Sequence, residues 1–132
     1  MAMTVEIVDS EKMFSLSEAQ ELLPLVQKIT HAHCSKLKPI QIRLDRMLSN
    51  DPRRSFVERE FQAEVSAWRG KIRRLGLKAA GLWVVEYLVG VDGRLSWRYP
   101  ELEIAYFSAK GDSKRVRLLD YIEENDPDWA LS

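Results

Sequence analysis

The sequence predicts an α+β fold in which a long antiparallel αα-hairpin packs on a three-stranded antiparallel β-meander, followed by a short C-terminal segment. Three observations predict it. Apolar residues recur every three or four positions from Leu22 to Met47 and again from Val57 to Leu75, the period of helices with one buried stripe. Alternating apolar positions around an Asp92-Gly93 pair follow between Leu82 and Phe107, the pattern of strands joined by tight turns. With 132 residues, the chain has room for one domain with a modest core, so helices and strands must share it.

In chain order, residues 1–12 read as an arm or an edge strand, with Thr4-Val5-Glu6-Ile7-Val8 as its alternating piece. Residues 13–76 make the helical hairpin. Ser15 followed by Glu18 is a capping box that satisfies otherwise orphan backbone donors, and Phe14 just before the cap packs back on the first turn. The first stripe is Leu22, Val26, Ile29, His33, Leu37, Ile40, Leu44 and Met47. Pro24 and Pro39 fall within it. Each removes a backbone donor and clashes with the preceding turn, so the helix is expected to bend or divide there. After Ser49-Asn50-Asp51-Pro52, either Asp51 or Ser55 caps a second helix whose stripe is Val57, Phe61, Val65, Trp68, Ile72 and Leu75. Lys71, Arg73 and Arg74 complement its negative dipole end, and Gly76 supplies a left-handed cap with Leu77 as the hydrophobic contact.

Residues 77–108 make the meander. A type I′ turn at Asp92-Gly93 sets Leu88 opposite Trp97. A second tight turn at Pro100-Glu101 sets Tyr99 against Leu102, Trp97 against Ile104 and Leu95 against Tyr106, with Arg98 meeting Glu103 on the other face. The first strand, Leu82 to Val89, is apolar on both faces apart from Glu86 and wants cover on both sides. Residues 109–132 read as a loop and a short segment from Arg115 to Glu123, with helix ranked ahead of strand.

Formal charge is zero but unevenly spread: Ser15 to Gly76 carries twelve Lys/Arg against seven Asp/Glu, and Leu77 to Ser132 carries seven against ten. The basic half suits nucleic acid or the acidic half of a neighbouring subunit. The single Cys34 rules out an internal disulfide and suits a reducing compartment. No apolar run approaches the about 20 residues of a membrane span, and Met1 to Phe14 lacks the pattern of a signal peptide, so a cytoplasmic protein without membrane contact is expected.

Two stretches resemble a small bacterial family catalogued as domain of unknown function 2203. The first is Met13-Phe14-Ser15-Leu16-Ser17-Glu18-Ala19-Gln20-Glu21-Leu22-Leu23-Pro24. The second runs from Gly81 to Tyr106 and includes Val85-Glu86-Tyr87, Val91-Asp92-Gly93-Arg94, Trp97-Arg98 and Glu103-Ile104-Ala105-Tyr106. The resemblance implies no established activity. It also implies a cysteine before the tryptophan and a histidine after the last aromatic pair, where this chain has Ser96 and Ser108. The Gly-rich, Arg-containing tail implied by the family is replaced here by Lys110-Gly111-Asp112-Ser113-Lys114-Arg115.

No nucleophile–base pair, phosphate loop or full metal-ligand set stands out, so no catalytic residue, metal or cofactor is assigned. Glu86 is the sharpest candidate: the register above puts it beside Leu88, Trp97 and Ile104, near Tyr99, where apolar surroundings would raise a carboxyl pKa. Arg98, Glu101 and Glu103 with Tyr106 complete a candidate ligand site, against the plainer reading of a cross-strand Arg98–Glu103 pair. His31 and His33 point apart on a helix, leaving at most His31 and Cys34 on one face, too few ligands for a metal. Arg59, Arg69, Arg73 and Arg74 make a candidate basic surface. The ordering that follows puts first a non-enzymatic oligomerising or protein-interaction module, a homo-oligomer with the dimer favoured. A small-molecule-binding protein or small enzyme built on Glu86, Trp97 and Arg98 between hairpin and sheet ranks second, and weak nucleic-acid binding through the second helix ranks last.

Overall fold

The structure, a computed structural model, describes residues 11–131; the alternating piece Thr4 to Val8 of the expected arm or edge strand lies outside the described residues. Helix α1 spans Leu16–Arg46 and α2 spans Arg54–Arg74. Five strands follow, β1 Lys78–Gly81, β2 Val84–Val89, β3 Gly93–Arg98, β4 Tyr106–Ala109 and β5 Arg115–Arg117, then α3 Leu118–Asn125 and α4 Asp128–Leu131. The class is α+β, and the sheet is antiparallel throughout in the order β1-β2-β3-β4-β5.

Local signals set the helix ends as expected at two of them. Ser15 Oγ accepts from the Glu18 amide at 3.1 Å while Glu18 Oε1 accepts from the Ser15 amide at 2.9 Å. At the end of α2 the Gly76 amide donates to Arg73 O and the Leu77 amide to Ile72 O, with Gly76 at a φ of 85°, which only a residue lacking Cβ adopts freely. The start of α2 differs. Neither Asp51 nor Ser55 caps it; Asp51 instead folds its carboxylate onto the Arg53 amide, 2.9 Å away, in a turn that precedes the helix.

The prolines do not divide α1, which runs unbroken for 31 residues. Pro24 and Pro39 both face solvent, so water can serve the carbonyls left without a donor one turn earlier. The buried stripe is Ala19, Leu23, Val26, Thr30, His33, Leu37 and Leu44, with Leu22, Ile29, Ile40 and Met47 half-buried along its flank. On α2, Val57, Val65, Trp68 and Ile72 are buried as the stripe requires.

The meander register departs from expectation at both turns. Gly90, Val91 and Asp92 form a three-residue loop, so Val89 pairs with Gly93, Tyr87 with Leu95 and Val85 with Trp97. Trp97 therefore faces Val85, three residues from Leu88, and an odd slip exchanges the two faces of a strand. After β3 the chain passes the cis Tyr99-Pro100 bond and continues as a loop to Ala105. Side chains hold that loop: Trp97 Nε1 donates to Glu101 O at 2.7 Å, and Gln27 Nε2 donates to the carbonyls of Glu101 and Leu102. The β3–β4 ladder then starts at Ser96 and Tyr106, with Leu95 opposite Phe107. Arg98 does not meet Glu103; its amide donates to Glu101 Oε1 at 2.7 Å.

Two strands beyond the expected three flank the meander. Ala79, Ala80 and Gly81 carry little strand propensity, and β5 has three residues, so neither left a readable period. The C-terminal segment is both of the alternatives in turn, a strand over Arg115–Arg117 and then a helix.

One face of the sheet, Val85, Tyr87 and Val89 with Leu95, Trp97 and Phe107, is fully buried under Ala19, Leu23 and Val26 of α1, Trp68 and Ile72 of α2, and the C-terminal Leu118 and Trp129. Tyr121 and Trp129 stack on Phe107 with ring centroids 3.8 and 5.5 Å away. The other face carries Lys78, Glu86, Leu88, Arg94, Ser96, Tyr106, Ser108, Arg115 and Arg117 by strand alternation. No described helix is long and apolar enough to cross a membrane.

The hairpin outruns this core. Buried Leu37, Leu44, Val57 and Val65 lie outside the central cluster. Beyond His31, whose Nδ1 meets Tyr99 Oη at 2.7 Å, the polar contacts of α1 run within itself or to α2: His33 with Glu64, Arg43 with Glu60 at 2.8 Å, and Arg54 Nη1 to the carbonyls of Leu44 and Met47. The fifteen residues from Ala32 to Arg46 make about 22 Å of helix at 1.5 Å per residue, a two-helix arm.

Candidate functional site

The expected ligand constellation is not one site. Strand alternation turns Trp97 into the core, where it is fully buried, and puts Glu86 on the opposite face of the sheet from the hairpin. The pocket expected between hairpin and sheet around Glu86 therefore does not form. Tyr99 and Glu101 belong to the loop that joins β3 to α1 through His31 and Gln27, Arg98 and Glu103 are exposed, and Tyr106 lies on the outer face with the Arg115 guanidinium 4.9 Å from its ring centroid.

What the outer face does offer is a concavity of about 770 Å³, lined among others by Lys78, Glu86, Leu88, Arg94, Ser108, Lys110 and Arg115. Its charges are partly spoken for. Arg94 grips Glu11 with both terminal nitrogens, Nη2 to Oε1 at 2.9 Å, and its Nε lies 3.9 Å from Glu86 Oε1. The Arg94 hydrogen bonds, opposed by desolvation and aided by the charges of Arg94 and Lys78, hold the Glu11 carboxyl below its usual range. Ser96 and Ser108 both belong to this face, opposite Tyr106 and Arg94 respectively, and Ser96 is buried. Hydroxyls there bind neither soft metal nor proton as a thiol and an imidazole would.

The basic candidates are likewise divided, here by helix geometry. Arg69 and Arg73 are one turn apart and share a face; with Ser66, Leu77, Lys78, Ala79 and Glu11 they line a second concavity of about 460 Å³ between α2 and β1. Arg74 points around the helix to a separate hollow with Lys12, Glu18 and Glu21. Arg59 stacks on Phe56 near the hairpin tip, 5.2 Å from the ring centroid, about 22 Å of helix from Arg74. A continuous phosphate-tracking stripe would need these cations on one face.

Sequence reasoning missed two features. Asp92, read as a turn former, accepts a hydrogen bond from the Trp129 indole and so ties the C-terminal helix to the β2–β3 loop. Trp83, read as strand, sits in the β1–β2 turn at a φ of 62° with its ring edge-on to Trp68, centroids 5.0 Å apart. The first links residues 37 apart and leaves no local signal. For the second, the pairing of Gly81 with Val84 sets a two-residue turn that Leu82-Trp83 does not announce.

A helical hairpin laid across one face of a five-stranded antiparallel sheet, with a charged outer face, defines an α+β protein whose fold alone assigns no chemistry. The chain belongs to a family described as an uncharacterized conserved protein (DUF2203), whose model matches residues 12–118. No curated protein and no solved structure matches it.

Proposed function

We propose that this protein is a non-enzymatic interaction module that self-associates through its helical hairpin. The sheet is not the source of the surplus apolar surface: Val85, Tyr87 and Val89 are fully buried by the helices, and the outer face alternates Val84 and Leu88 with charges. The observation that carries the reading is the arm. Past His31 it is two helices with a narrow seam of Leu37, Leu44, Val57 and Val65, while Ile42, Leu48 and Phe56 stand exposed at its far end. Helices owe most of their stability to tertiary packing, and a two-helix seam supplies less of it than a bundle. Along the arm α1 carries Lys36, Lys38, Arg43 and Arg46 and α2 carries Glu58, Glu60 and Glu64, with Arg43 paired to Glu60 within the chain, so an antiparallel second copy that sets α1 beside α2 is favoured by charge as well as by apolar flank. Pairing two arms into a four-helix bundle covers the half-buried Ile40 and Met47. Sedimentation equilibrium at micromolar concentration tests this: a dimer is expected, converting to monomer when Ile42, Leu48 and Phe56 are replaced by glutamate, and a wild-type monomer at 100 times that concentration would refute it.

A further inference from the structure

We infer that the free edge of β1, flanked by Arg69 and Arg73 of α2 and by Lys78, is a docking site for an extended acidic peptide that adds to the sheet as a further strand. Among the described residues, strand β1 pairs with β2 on one side only, and no backbone hydrogen bond occupies its other side. An edge strand leaves alternate N–H and C=O groups open, a template for strand addition. Natural edges are commonly guarded by bulky or charged side chains, as β5 is by Arg115 and Arg117, whereas β1 continues past Lys78 as Ala79-Ala80-Gly81.

The charge beside that edge selects the partner. The hollow between α2 and β1 contains Arg69, Arg73 and Lys78, none of which has an ion-pair partner among the described residues. Its single carboxylate, Glu11, is already held by Arg94. The outer-face concavity is less selective, since Glu86 and Asp112 stand in it beside the cations. Spacing narrows the partner further. Arg69 and Arg73 are four residues apart on a helix, a rise of about 6.0 Å. Residues i and i+2 of an extended strand repeat on one face every about 6.7 Å. Two carboxylates separated by one residue therefore reach both guanidiniums beside Leu77 and Ala79, and the intervening residue turns to the opposite face of the sheet, where Lys78 lies. This surface is separate from the far end of the hairpin, so binding here and self-association stand or fall independently.

Fluorescence anisotropy with a labelled Ser-Glu-Val-Glu-Val-Glu-Ser peptide is the test, beside a same-composition peptide with its three glutamates adjacent and a ten-nucleotide oligothymidylate. The alternating peptide is expected to bind best, to weaken about tenfold for each of Arg69→Gln and Arg73→Gln, and to lose binding on backbone N-methylation of one alternate set of residues but not the other. Both arginines are exposed, and unchanged thermal melts of the variants keep folding out of the comparison. Equal binding of the two peptides, equal effects of the two methylation sets, or no binding at all would overturn the inference. Tighter binding of the oligonucleotide, lost with the same arginines, would overturn it in favour of a nucleic-acid site.

Discussion

Replacing Thr30 with valine removes one acceptor from the centre of the molecule and almost no volume. Thr30 Oγ1 accepts from Trp68 Nε1 at 2.9 Å, and both residues are fully buried, so the indole N–H has no access to water when its partner is lost. Stranding a buried donor costs about 1–3 kcal/mol. Thr30→Ser keeps the acceptor and deletes one methyl, which costs about 1 kcal/mol from lost burial and a small void. Hydrophobicity alone ranks valine above serine; the hydrogen bond reverses the order. Urea unfolding followed by far-UV circular dichroism reads the difference, with Thr30→Val lowering the midpoint by about 1 M at an unchanged slope of about 1–3 kcal/mol per M. Adding Trp68→Phe completes a double-mutant cycle, in which the cost of Thr30→Val should nearly vanish once the donor is gone. A Thr30→Val protein more stable than Thr30→Ser would refute the reasoning, because it would mean that the α1–α2 contact at this level is apolar packing alone.

Other substitutions probe the sheet and its charges. A Cβ at Gly93 would stand 2.0 Å from Ser108 O and 3.0 Å from the Ala109 Cα, both backbone, so Gly93→Ala should cost upward of about 4 kcal/mol and show as loss of folded protein in a thermal melt. Tyr87 is fully buried and its hydroxyl has no hydrogen-bond partner among the described residues, so Tyr87→Phe should raise stability by about 1 kcal/mol in urea unfolding. Burial raises the Tyr87 pKa above the ordinary 10.0, so its neutral form supports folding fully below that pH and the support is lost as pH climbs beyond it; Tyr87→Phe should flatten the alkaline limb of the stability curve. The Glu11 carboxyl, lowered by Arg94, works in the opposite direction: its contribution is present above the ordinary 4.5 and disappears as pH falls through the lowered value. Glu11→Gln should make stability less steep with pH in that acid range.

What could be read in advance was whatever the chain decides locally. The capping box at Ser15 and Glu18, the left-handed end at Gly76 and both helical stripes depend on residues within a turn or two of one another. The strand faces were not legible, because they hang on one choice at Gly90 to Gly93: a two-residue turn puts Glu86 with Trp97, and the three-residue loop observed puts them on opposite sides. What favours the longer loop is partly distant, the Trp129 indole on Asp92 and the Lys110 amide on Asp92 O. Strand β1 was invisible for a different reason, since Ala79-Ala80-Gly81 gains its conformation from pairing with β2 rather than from its own side chains. By contrast, the division of the basic residues was available from the numbers alone, because 100° per residue separates Arg74 from Arg73 on the helix surface.

Hydrogen exchange measured at two protein concentrations, well below and well above the association midpoint, tests the claim that the hairpin arm is the self-association surface. Amides of residues 36–46 and 54–61 should gain protection with concentration while those of β2 and β3 stay unchanged, because pairing stabilises the arm and leaves the sheet as it was. Protection that rises in the sheet instead, or an arm whose exchange does not depend on concentration, would contradict it.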